Sequence, residues 1–253
     1  EEVNMENEIL GSFIFNVLIE GSKACFTKPE CKTDRDSYPI PTPSALVGVL
    51  EAVYWHPPVE YKIKKIAVCN QPRFQNIRKN EIKVKGSADK IKQEMNGTGD
   101  AKIYAAENRT QRNTRFLVDV KYVVQVEAII RNTQCERDIE LGINVFEKQK
   151  AEILNRFKKQ IYRRQPFLGM SEYNDTEITW VPDFEKAAEE NISDEVKCGT
   201  TDYGWMLYLI QYPNKTKKGI NYKSGDVYPL FYHPILKHGI VNVDEYPVSR
   251  RIA

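Results

Sequence analysis

The chain has 253 residues, with 37 Lys and Arg against 35 Asp and Glu, so its formal net charge is only +2. This length can bury one large core, or one core with an extension, and no apolar run approaches the length that spans a membrane. The five cysteines are scattered without a Cys-x-x-Cys pair, which argues against a disulfide framework or a zinc site and fits a reducing cytoplasm.

The chain opens with a predicted strand and a predicted helix. Apolar residues alternate with polar ones in the strand, at Phe13, Phe15, Val17 and Ile19. The helix covers about residues 42–56, because Thr42 can cap its start and Pro57-Pro58 prevents its continuation. Apolar residues surround almost all of its circumference, so we expect it to be buried, with Val53-Tyr54-Trp55-His56 as its last turn.

A second strand is predicted after Pro58. Its apolar positions change parity at Lys64-Lys65, as a β-bulge would produce. No strong period follows between residues 70 and 115, and a connection of that length inside a compact domain is usually functional or disordered. We predict a hairpin or a small insert there.

The clearest strand of the sequence covers residues 116–130, where every even position is apolar. Its length predicts that it bends or extends past the sheet. A second helix is predicted over about residues 146–164, with Asn144 as its cap and an apolar stripe at Ile153, Leu154, Phe157 and Ile161. A short fourth strand follows and ends at Pro182.

The order strand, helix, strand, strand, helix, strand predicts an α+β fold of the ferredoxin-like βαββαβ type, which RNA-recognition modules (RRM) also use. We place this domain at residues 9–182, with a basic insert at about 70–115. Residues 183–253 are predicted to form a β-rich C-terminal extension. It begins with an acidic, partly helical stretch and continues with strands at about 205–212 and 227–232, separated by a basic turn at 215–219.

Basic residues are concentrated in two segments. Residues 71–115 hold eleven Lys or Arg and five Asp or Glu, and residues 148–164 hold seven Lys or Arg against Glu152 alone. Since the net charge is close to zero, the rest of the chain is acidic. Segregation of this kind indicates a nucleic-acid-binding surface; the alternative is two solvated faces that happen to be basic.

Two motifs carry a family resemblance. The first helix reads Pro-Thr-x-x-Ala-Leu-x-Gly and ends in Tyr-Trp-x-Pro, and a later segment reads Arg163-Arg164-Gln-Pro-Phe-Leu-Gly169, a basic pair and two further residues before Phe-Leu-Gly. Together with the order of elements, these motifs resemble the CRISPR-associated RAMP proteins of the Cas-five family, subtype I-C, over most of residues 9–182.

The resemblance implies a RAMP domain that acts as a metal-independent endoribonuclease, without a cofactor, and cuts CRISPR repeat RNA to mature crRNA. It also implies that the protein stays on the crRNA 5′ handle as a subunit of the type I-C interference complex, beside the backbone and large subunits and away from membranes, in a prokaryotic cytoplasm. One alternative is a non-catalytic subunit of the same complex that only binds the handle. A more distant one is an unrelated RNA-recognition-like module, although the first strand lacks the aromatic-rich signature of that fold.

The resemblance also implies catalytic residues. Cleavage through the RNA's own 2′-OH needs a base, an acid for the leaving oxygen, and positive charge near the phosphorane. The family site has a tyrosine at the end of the first helix, matched by Tyr54, and a Lys-His pair before the second helix, of which only the lysine is found, as Lys148 or Lys150. His56 is a candidate replacement for the histidine, although residues two apart do not share a helix face. For Tyr54 to act as a base, the basic start of the second helix would have to lower the pKa of its phenol, ordinarily about 10.

Further residues are predicted to bind RNA. Arginine can hold a phosphate with two parallel hydrogen bonds, and a glycine can let the RNA backbone approach closely, although a glycine can equally serve a structural turn. The predicted RNA-binding residues are Lys23, Arg109, Arg112, Arg115, Arg156, Arg163, Arg164 and Gly169.

Overall fold

A large sheet organises the chain, of which the computed structural model describes residues 9–31, 33–132, 142–212 and 227–250. In chain order the strands are β1 (Ile9–Ala24), β2 (Arg35–Asp36), β3 (Val59–Val68), β4 (Arg73–Ile82), β5 (Arg109–Arg131), β6 (Glu177–Val181), β7 (Thr200–Asp202), β8 (Met206–Gln211), β9 (Tyr228–Tyr232), β10 (Ile235–Lys237) and β11 (Ile240–Asn242). The helices are α1 (Pro43–Val53), α2 (Ala88–Met95), α3 (Val145–Lys159), α4 (Phe184–Asn191) and α5 (Asp194–Lys197), with a 3₁₀ turn at Val243–Glu245.

The main sheet follows the strand order β6-β1-β5-β3-β11-β10-β7. Each pair of neighbouring strands in this order runs antiparallel. β4 also pairs with β5 in antiparallel fashion, whereas β2 pairs with β5 in parallel. β8 and β9 form a second, two-stranded sheet. The architecture is therefore mixed α/β with a large antiparallel sheet, which the C-terminal strands continue beyond β3.

Aromatic contacts join α3 to the sheet. The alternation predicted for β1 is largely confirmed: Phe15, Val17 and Ile19 are buried and Phe13 is half-buried, although the intervening Asn16 is buried too. The ring of Phe157 on α3 lies 5.0 Å from the ring of Phe15, and Tyr61 of β3 lies 6.3 Å from the same ring. Buried aromatic pairs of this kind dominate the energetics of a core, so the Phe15–Phe157 pair fixes α3 against β1.

β5 is longer than the strand predicted at 116–130. Residues 117–131 pair with β1 and residues 122–130 with β3, whereas residues 109–118 form a hairpin with β4. Asp119 lies at the end of this hairpin with a positive φ of 51°, and its carboxylate lies 2.6 Å from Nη2 of Arg73. The segment at 70–115 is thus a hairpin with α2 between its strands. Because β5 forms one side of this hairpin, it extends past the main sheet, as its length predicted.

The predicted end of the second helix is wrong. α3 ends at Lys159 rather than near Arg164, because Gln160 adopts a left-handed conformation with φ of 53°. The side chain of Gln160 donates from Nε2 to the backbone oxygen of Ile178 at 3.2 Å, which ties this helix end to β6. Ile161 therefore lies outside the helix and is 45% exposed, instead of extending its apolar stripe.

Several smaller predictions are confirmed. The pairing of β3 with β5 shifts register between Ile63 and Lys65, at the predicted bulge. The acidic stretch after Pro182 contains α4 and α5, and β8 and β9 pair as expected. The basic turn at 215–219 lies outside the described residues. No helix in the described ranges is long and apolar enough to cross a membrane.

Candidate active site

The C-terminal end of α1 differs from the predicted helix. α1 begins as expected, since Oγ1 of Thr42 accepts a hydrogen bond from the N–H of Ala45 at 3.2 Å. It ends at Val53, however, and Tyr54 is already extended, with φ of −143° and ψ of 121°. Tyr54, Trp55 and His56 therefore follow the helix without belonging to it, rather than forming its last turn.

A segment far along the chain forms hydrogen bonds with the last carbonyl groups of α1. The backbone N–H of Arg163 donates to the oxygen of Val53 at 3.1 Å, and the N–H of Arg164 donates to the oxygen of Ala52 at 3.0 Å. Helix ends leave such carbonyls without intrahelical partners, so these two bonds satisfy them. The predicted basic pair is thereby fixed beside the end of α1, with both side chains exposed.

The phenol of Tyr54 reaches α3. Its Oη donates to Oε1 of Gln149 at 2.6 Å, and Gln149 is only 6% exposed. The backbone oxygen of Tyr54 accepts a hydrogen bond from Oη of Tyr61 at 3.0 Å. These two bonds hold Tyr54 between α1, β3 and α3 while its side chain stays half-buried.

Burial raises the pKa of the Tyr54 phenol above its ordinary value. The carboxylate of Glu152 adds to this effect, and the guanidinium of Arg156 opposes it. A role as a base would require the pKa of Tyr54 to be lowered. The structure instead raises this pKa, because burial is the largest cause. At neutral pH the phenol is protonated and acts as a hydrogen-bond donor.

Three α3 residues surround this phenol. Gln149, Glu152 and Arg156 are spaced by three and four residues and so share one helix face. Nε of Arg156 lies 2.6 Å from Oε1 of Glu152, and the guanidinium carbon lies 5.3 Å from the centre of the Tyr54 ring. Sequence reasoning missed Gln149 and Glu152, although their helical spacing from the predicted Arg156 could have indicated them.

His56 also lies beside Tyr54. The two rings are nearly parallel, with an interplanar angle of 7° and centroids 6.4 Å apart. Because both residues lie outside the helix, the objection from helix geometry does not apply. Trp55 is 44% exposed, and the guanidinium carbon of Arg163 lies 5.4 Å from its ring. We call the group the Tyr54 cluster; its members are Tyr54, Trp55, His56, Gln149, Glu152, Arg156 and Arg163.

The two candidate lysines flank Gln149 on α3. Lys148 is exposed at the helix surface. Nζ of Lys150 lies 5.8 Å from the ring of Phe13 and 5.7 Å from the ring of Phe146. Lys150 thus packs over aromatic rings, while Lys148 immediately precedes the residue that receives the Tyr54 hydrogen bond.

The other predicted RNA-binding residues lie at the opposite end of β5. Arg109, Arg112 and Arg115 lie on the hairpin strand, with Arg112 facing away from the other two. Tyr61, which bonds the backbone of Tyr54, pairs with Ala128 on β5. At the usual rise per residue of a strand, Ala128 and Arg115 lie up to about 40 Å apart along β5, and the Tyr54 cluster is about that far from Arg115.

A groove of about 610 Å³ lies on this hairpin. The guanidinium of Arg115 lines it, lies 3.7 Å from the ring of Phe74, and bonds Asp36 at 3.0 Å. Lys23 lies nearby on β1, with Nζ 6.0 Å from the ring of Phe116. The basic hairpin and the Tyr54 cluster are therefore separate surfaces.

Gly169 is placed against the chain's own backbone. Its φ is +82°, and a Cβ built on it would lie 2.0 Å from the backbone oxygen of Cys25. The N–H of Cys25 donates to the oxygen of Leu168 at 3.0 Å, which fixes this approach. A structural reason for the glycine is thus present, and contact with RNA stays a prediction.

Comparison with known proteins agrees with this architecture. A solved structure of a CRISPR-associated protein superposes with a TM-score of 0.60 at 20% identity, covering 92% of both chains, so the mixed α/β architecture is shared with that protein. A family model described as CRISPR-associated protein (Cas_Cas5) matches residues 16–244. The chain belongs to this family, in its subtype I-C branch, Cas5d.

Two curated relatives carry a functional name. The chain is 30% identical over 232 residues to the "CRISPR pre-crRNA endoribonuclease Cas5d" of Mannheimia succiniciproducens, covering 90% of this chain and 93% of that protein. It is 28% identical over 235 residues to the protein of the same name from Thermus thermophilus, covering 90% of each.

Proposed function

We propose that this chain is a pre-crRNA endoribonuclease. It cuts CRISPR repeat RNA to mature crRNA and then stays on the 5′ handle as a subunit of the type I-C interference complex, beside the backbone and large subunits. The names of the two curated relatives support the activity. The structural observation that carries the proposal is the imidazole of His56 beside the Tyr54 ring, with the guanidinium groups of Arg156 and Arg163 next to the rings of Tyr54 and Trp55.

In this proposal the nucleophile is the 2′-oxygen beside the cut. A base takes the 2′-OH proton, the 2′-oxygen bonds to phosphorus, and the 5′-oxygen leaves with a proton from an acid. The products are then a 2′,3′-cyclic phosphate and a 5′-OH. His56 is the group of the Tyr54 cluster assigned to proton transfer, because an imidazole can both accept and donate a proton.

Tyr54 is assigned to orientation and charge stabilisation. Its protonated phenol can donate a hydrogen bond to the 2′-oxygen or to a phosphate oxygen once RNA displaces or shares the contact with Gln149. Arg156 and Lys148 supply positive charge for the phosphorane, and Lys150 is the second lysine candidate. Gln149 takes a positioning role where the family resemblance leads one to expect a histidine.

The RNA contacts follow from the two basic surfaces. We assign Arg156, Arg163 and Arg164 to phosphates close to the cut, since the last two are fixed beside α1. Lys23, Arg109, Arg112 and Arg115 are assigned to a more distant part of the RNA, at the hairpin. Gly169 is the weakest member of this set, because its own backbone contact explains it.

The finer fold assignment is also a proposal. The order β6-β1-β5-β3, with α1 after β1 and α3 after β5, supports a ferredoxin-like βαββαβ RAMP domain at residues 9–182. Residues 183–253 are the proposed β-rich extension, which adds strands beside β3. The free thiols of Cys25, Cys31, Cys69 and Cys198 support the proposed cytoplasmic location.

A second candidate function is a handle-binding subunit without nuclease activity. The observation that favours it is the amide of Gln149 at the end of the Tyr54 hydrogen bond, since an amide cannot take or supply a proton as an imidazole does. The two functions share the same RNA-binding surfaces and differ only in chemistry.

Incubation of the purified protein with repeat RNA in EDTA tests the proposal. We expect one discrete cut without added metal; among the described residues, no group of three or more His, Cys, Asp or Glu is placed to hold a metal ion. Tight binding without any cut, in EDTA and in magnesium alike, would instead establish the handle-binding subunit. A cut that appears only with magnesium would contradict the metal-independent mechanism.

A further inference from the structure

The groove on the hairpin is lined by two amide and two guanidinium side chains from one face of the sheet. Asn76 of β4 lies directly opposite Arg115 of β5, and Arg78 lies directly opposite Asn113. Residues two apart on a strand, and residues directly opposite on its neighbour, share one face of a sheet, with opposite Cβ atoms about 5 Å apart. The amides therefore lie on one diagonal of this set and the guanidinium groups on the other. All four side chains are exposed and line the same groove of about 610 Å³.

One of the guanidinium groups is held in place by its neighbours. The guanidinium carbon of Arg115 lies 3.7 Å from the centre of the Phe74 ring, and its Nη1 donates to Oδ1 of Asp36 at 3.0 Å. Nζ of Lys28 donates to the other oxygen of Asp36 at 2.6 Å, which fixes that carboxylate. The Arg115 side chain is still 45% exposed, so its plane can stack on a flat group in the groove. Unpaired RNA bases stack on arginine planes in this way.

The groove suits the edges of bases better than phosphate groups. Besides its arginines it is lined by the carboxylates of Asp34 and Asp36, which repel phosphate and can accept hydrogen bonds from base amino groups. Oδ1 of Asp34 accepts a hydrogen bond from the backbone N–H of Asn113 at 2.9 Å, which holds it beside the amides. Within the described ranges, the side chains of Asn76, Arg78 and Asn113 bond no other residue, so their donors and acceptors are available to a ligand.

We infer that this groove reads the bases of unpaired nucleotides and prefers purines. Asparagine pairs with N6 and N7 of adenine, and arginine pairs with O6 and N7 of guanine. The RNA must be single-stranded at this point, because side chains cannot reach those edges in the deep, narrow major groove of an RNA duplex. The inference rests on the proposed RNA-processing function and adds a specificity determinant to it, far from the Tyr54 cluster.

Binding of RNA that lacks one base at a time tests the groove in the intact protein. Repeat RNA with a 2′-deoxy nucleotide at the cut is used so that only binding is measured, and each unpaired nucleotide in turn is made abasic. We expect the loss of one purine to weaken binding by about tenfold, within the range for one base contact, and a pyrimidine at that position to weaken it similarly. The double variant Asn76→Ala with Asn113→Ala should bind the intact RNA about tenfold more weakly and show no further loss with the abasic RNA. Both side chains are exposed, so its thermal unfolding should match the wild type.

Two arginine variants distinguish a base contact from a phosphate contact. Arg115→Lys keeps the charge and loses the flat guanidinium, so it should reduce the purine preference while the slope of log affinity against log salt stays unchanged. Arg109→Ala is the matched control, because Arg109 is exposed on the same strand and does not line the groove. It should flatten that slope by about 0.7, the share of one phosphate contact with a single strand, and leave the purine preference intact.

The groove and the nuclease can fail independently. A purine preference that persists in the double variant, or affinity that no abasic position changes, contradicts the groove, and cleavage of the unmodified RNA in that case leaves the proposed function in place. A groove-dependent purine preference without any cleavage would support the groove and contradict the nuclease. A double variant that keeps the purine preference but no longer joins the interference complex would show that the groove binds a protein subunit, and would contradict its assignment to RNA.

Discussion

Tyr54→Phe is expected to slow cleavage of repeat RNA by roughly 10²-fold or more, the range of a group that takes part in proton transfer or orients the nucleophile. The change removes one oxygen and keeps the ring in place. Affinity for the RNA should stay within a few-fold, because the cations proposed to contact phosphate are elsewhere in the cluster and on the hairpin. Single-turnover cleavage and equilibrium binding, measured on the same preparation, separate the two effects.

This variant also carries a stability cost that needs a matched control. Oε1 of Gln149 loses its donor while the side chain is 6% exposed, and an unsatisfied buried polar atom costs about 1–3 kcal/mol. Tyr61→Phe removes a buried hydroxyl that bonds the backbone of Tyr54 and should cost a similar amount of stability while cleavage stays within a few-fold. Cleavage at the wild-type rate by Tyr54→Phe would contradict the catalytic assignment of Tyr54.

Gly169→Ala is expected to give the largest loss of stability of any single methyl added to a glycine in the described chain. A Cβ at this position would lie 2.0 Å from the oxygen of Cys25, and the φ of +82° is itself unfavourable for alanine. The backbone must move, so we expect a loss of about 3 kcal/mol or more in the free energy of unfolding. At about 2–4 °C for each kcal/mol, thermal unfolding should shift down by roughly 6–12 °C.

Gly48→Ala is the matched control for this substitution. Gly48 lies within α1 with nothing within 4 Å of the added Cβ, so alanine should stabilise the helix by about 0.5–1 kcal/mol. A Gly169→Ala protein that melts like the wild type and loses only RNA affinity would show that the glycine serves RNA contact instead of the Cys25 approach.

The strands were predictable because their sequence pattern is local. Alternation along β1 and along residues 116–130 identified the strands and most of their buried side chains, and the parity change at Lys64-Lys65 marked the bulge. The start of α1 was also local, since Thr42 caps a residue only three positions away.

The helix ends were not predictable from local signals. α1 stops at Val53 because backbone N–H groups of Arg163 and Arg164, about a hundred residues further along the chain, satisfy its last carbonyls. α3 stops before Pro166 because Gln160 takes a left-handed conformation and bonds β6. In both cases the residues that bond the helix end lie in another part of the chain, so the sequence around the helix end does not reveal them.

The candidate site was predictable in its members more than in its chemistry. The motif resemblance led to Tyr54, the lysines and the basic pair. Gln149 was missed because its contact with Tyr54 joins residues 95 apart in sequence. The pKa of Tyr54 was expected to need neighbouring cations to lower it, whereas burial, which depends on contacts with residues far away in sequence such as Gln149, raises it.

The cluster at the end of α1 is proposed to direct the RNA's own 2′-OH against the scissile phosphate. Repeat RNA with a single 2′-deoxy nucleotide at the cut tests this mechanism most directly. The account predicts that this RNA binds with unchanged affinity and is not cut at that position, while the unmodified RNA yields a product ending in a 2′,3′-cyclic phosphate. Cleavage of the deoxy RNA at the same position would show that water is the nucleophile and would contradict the account.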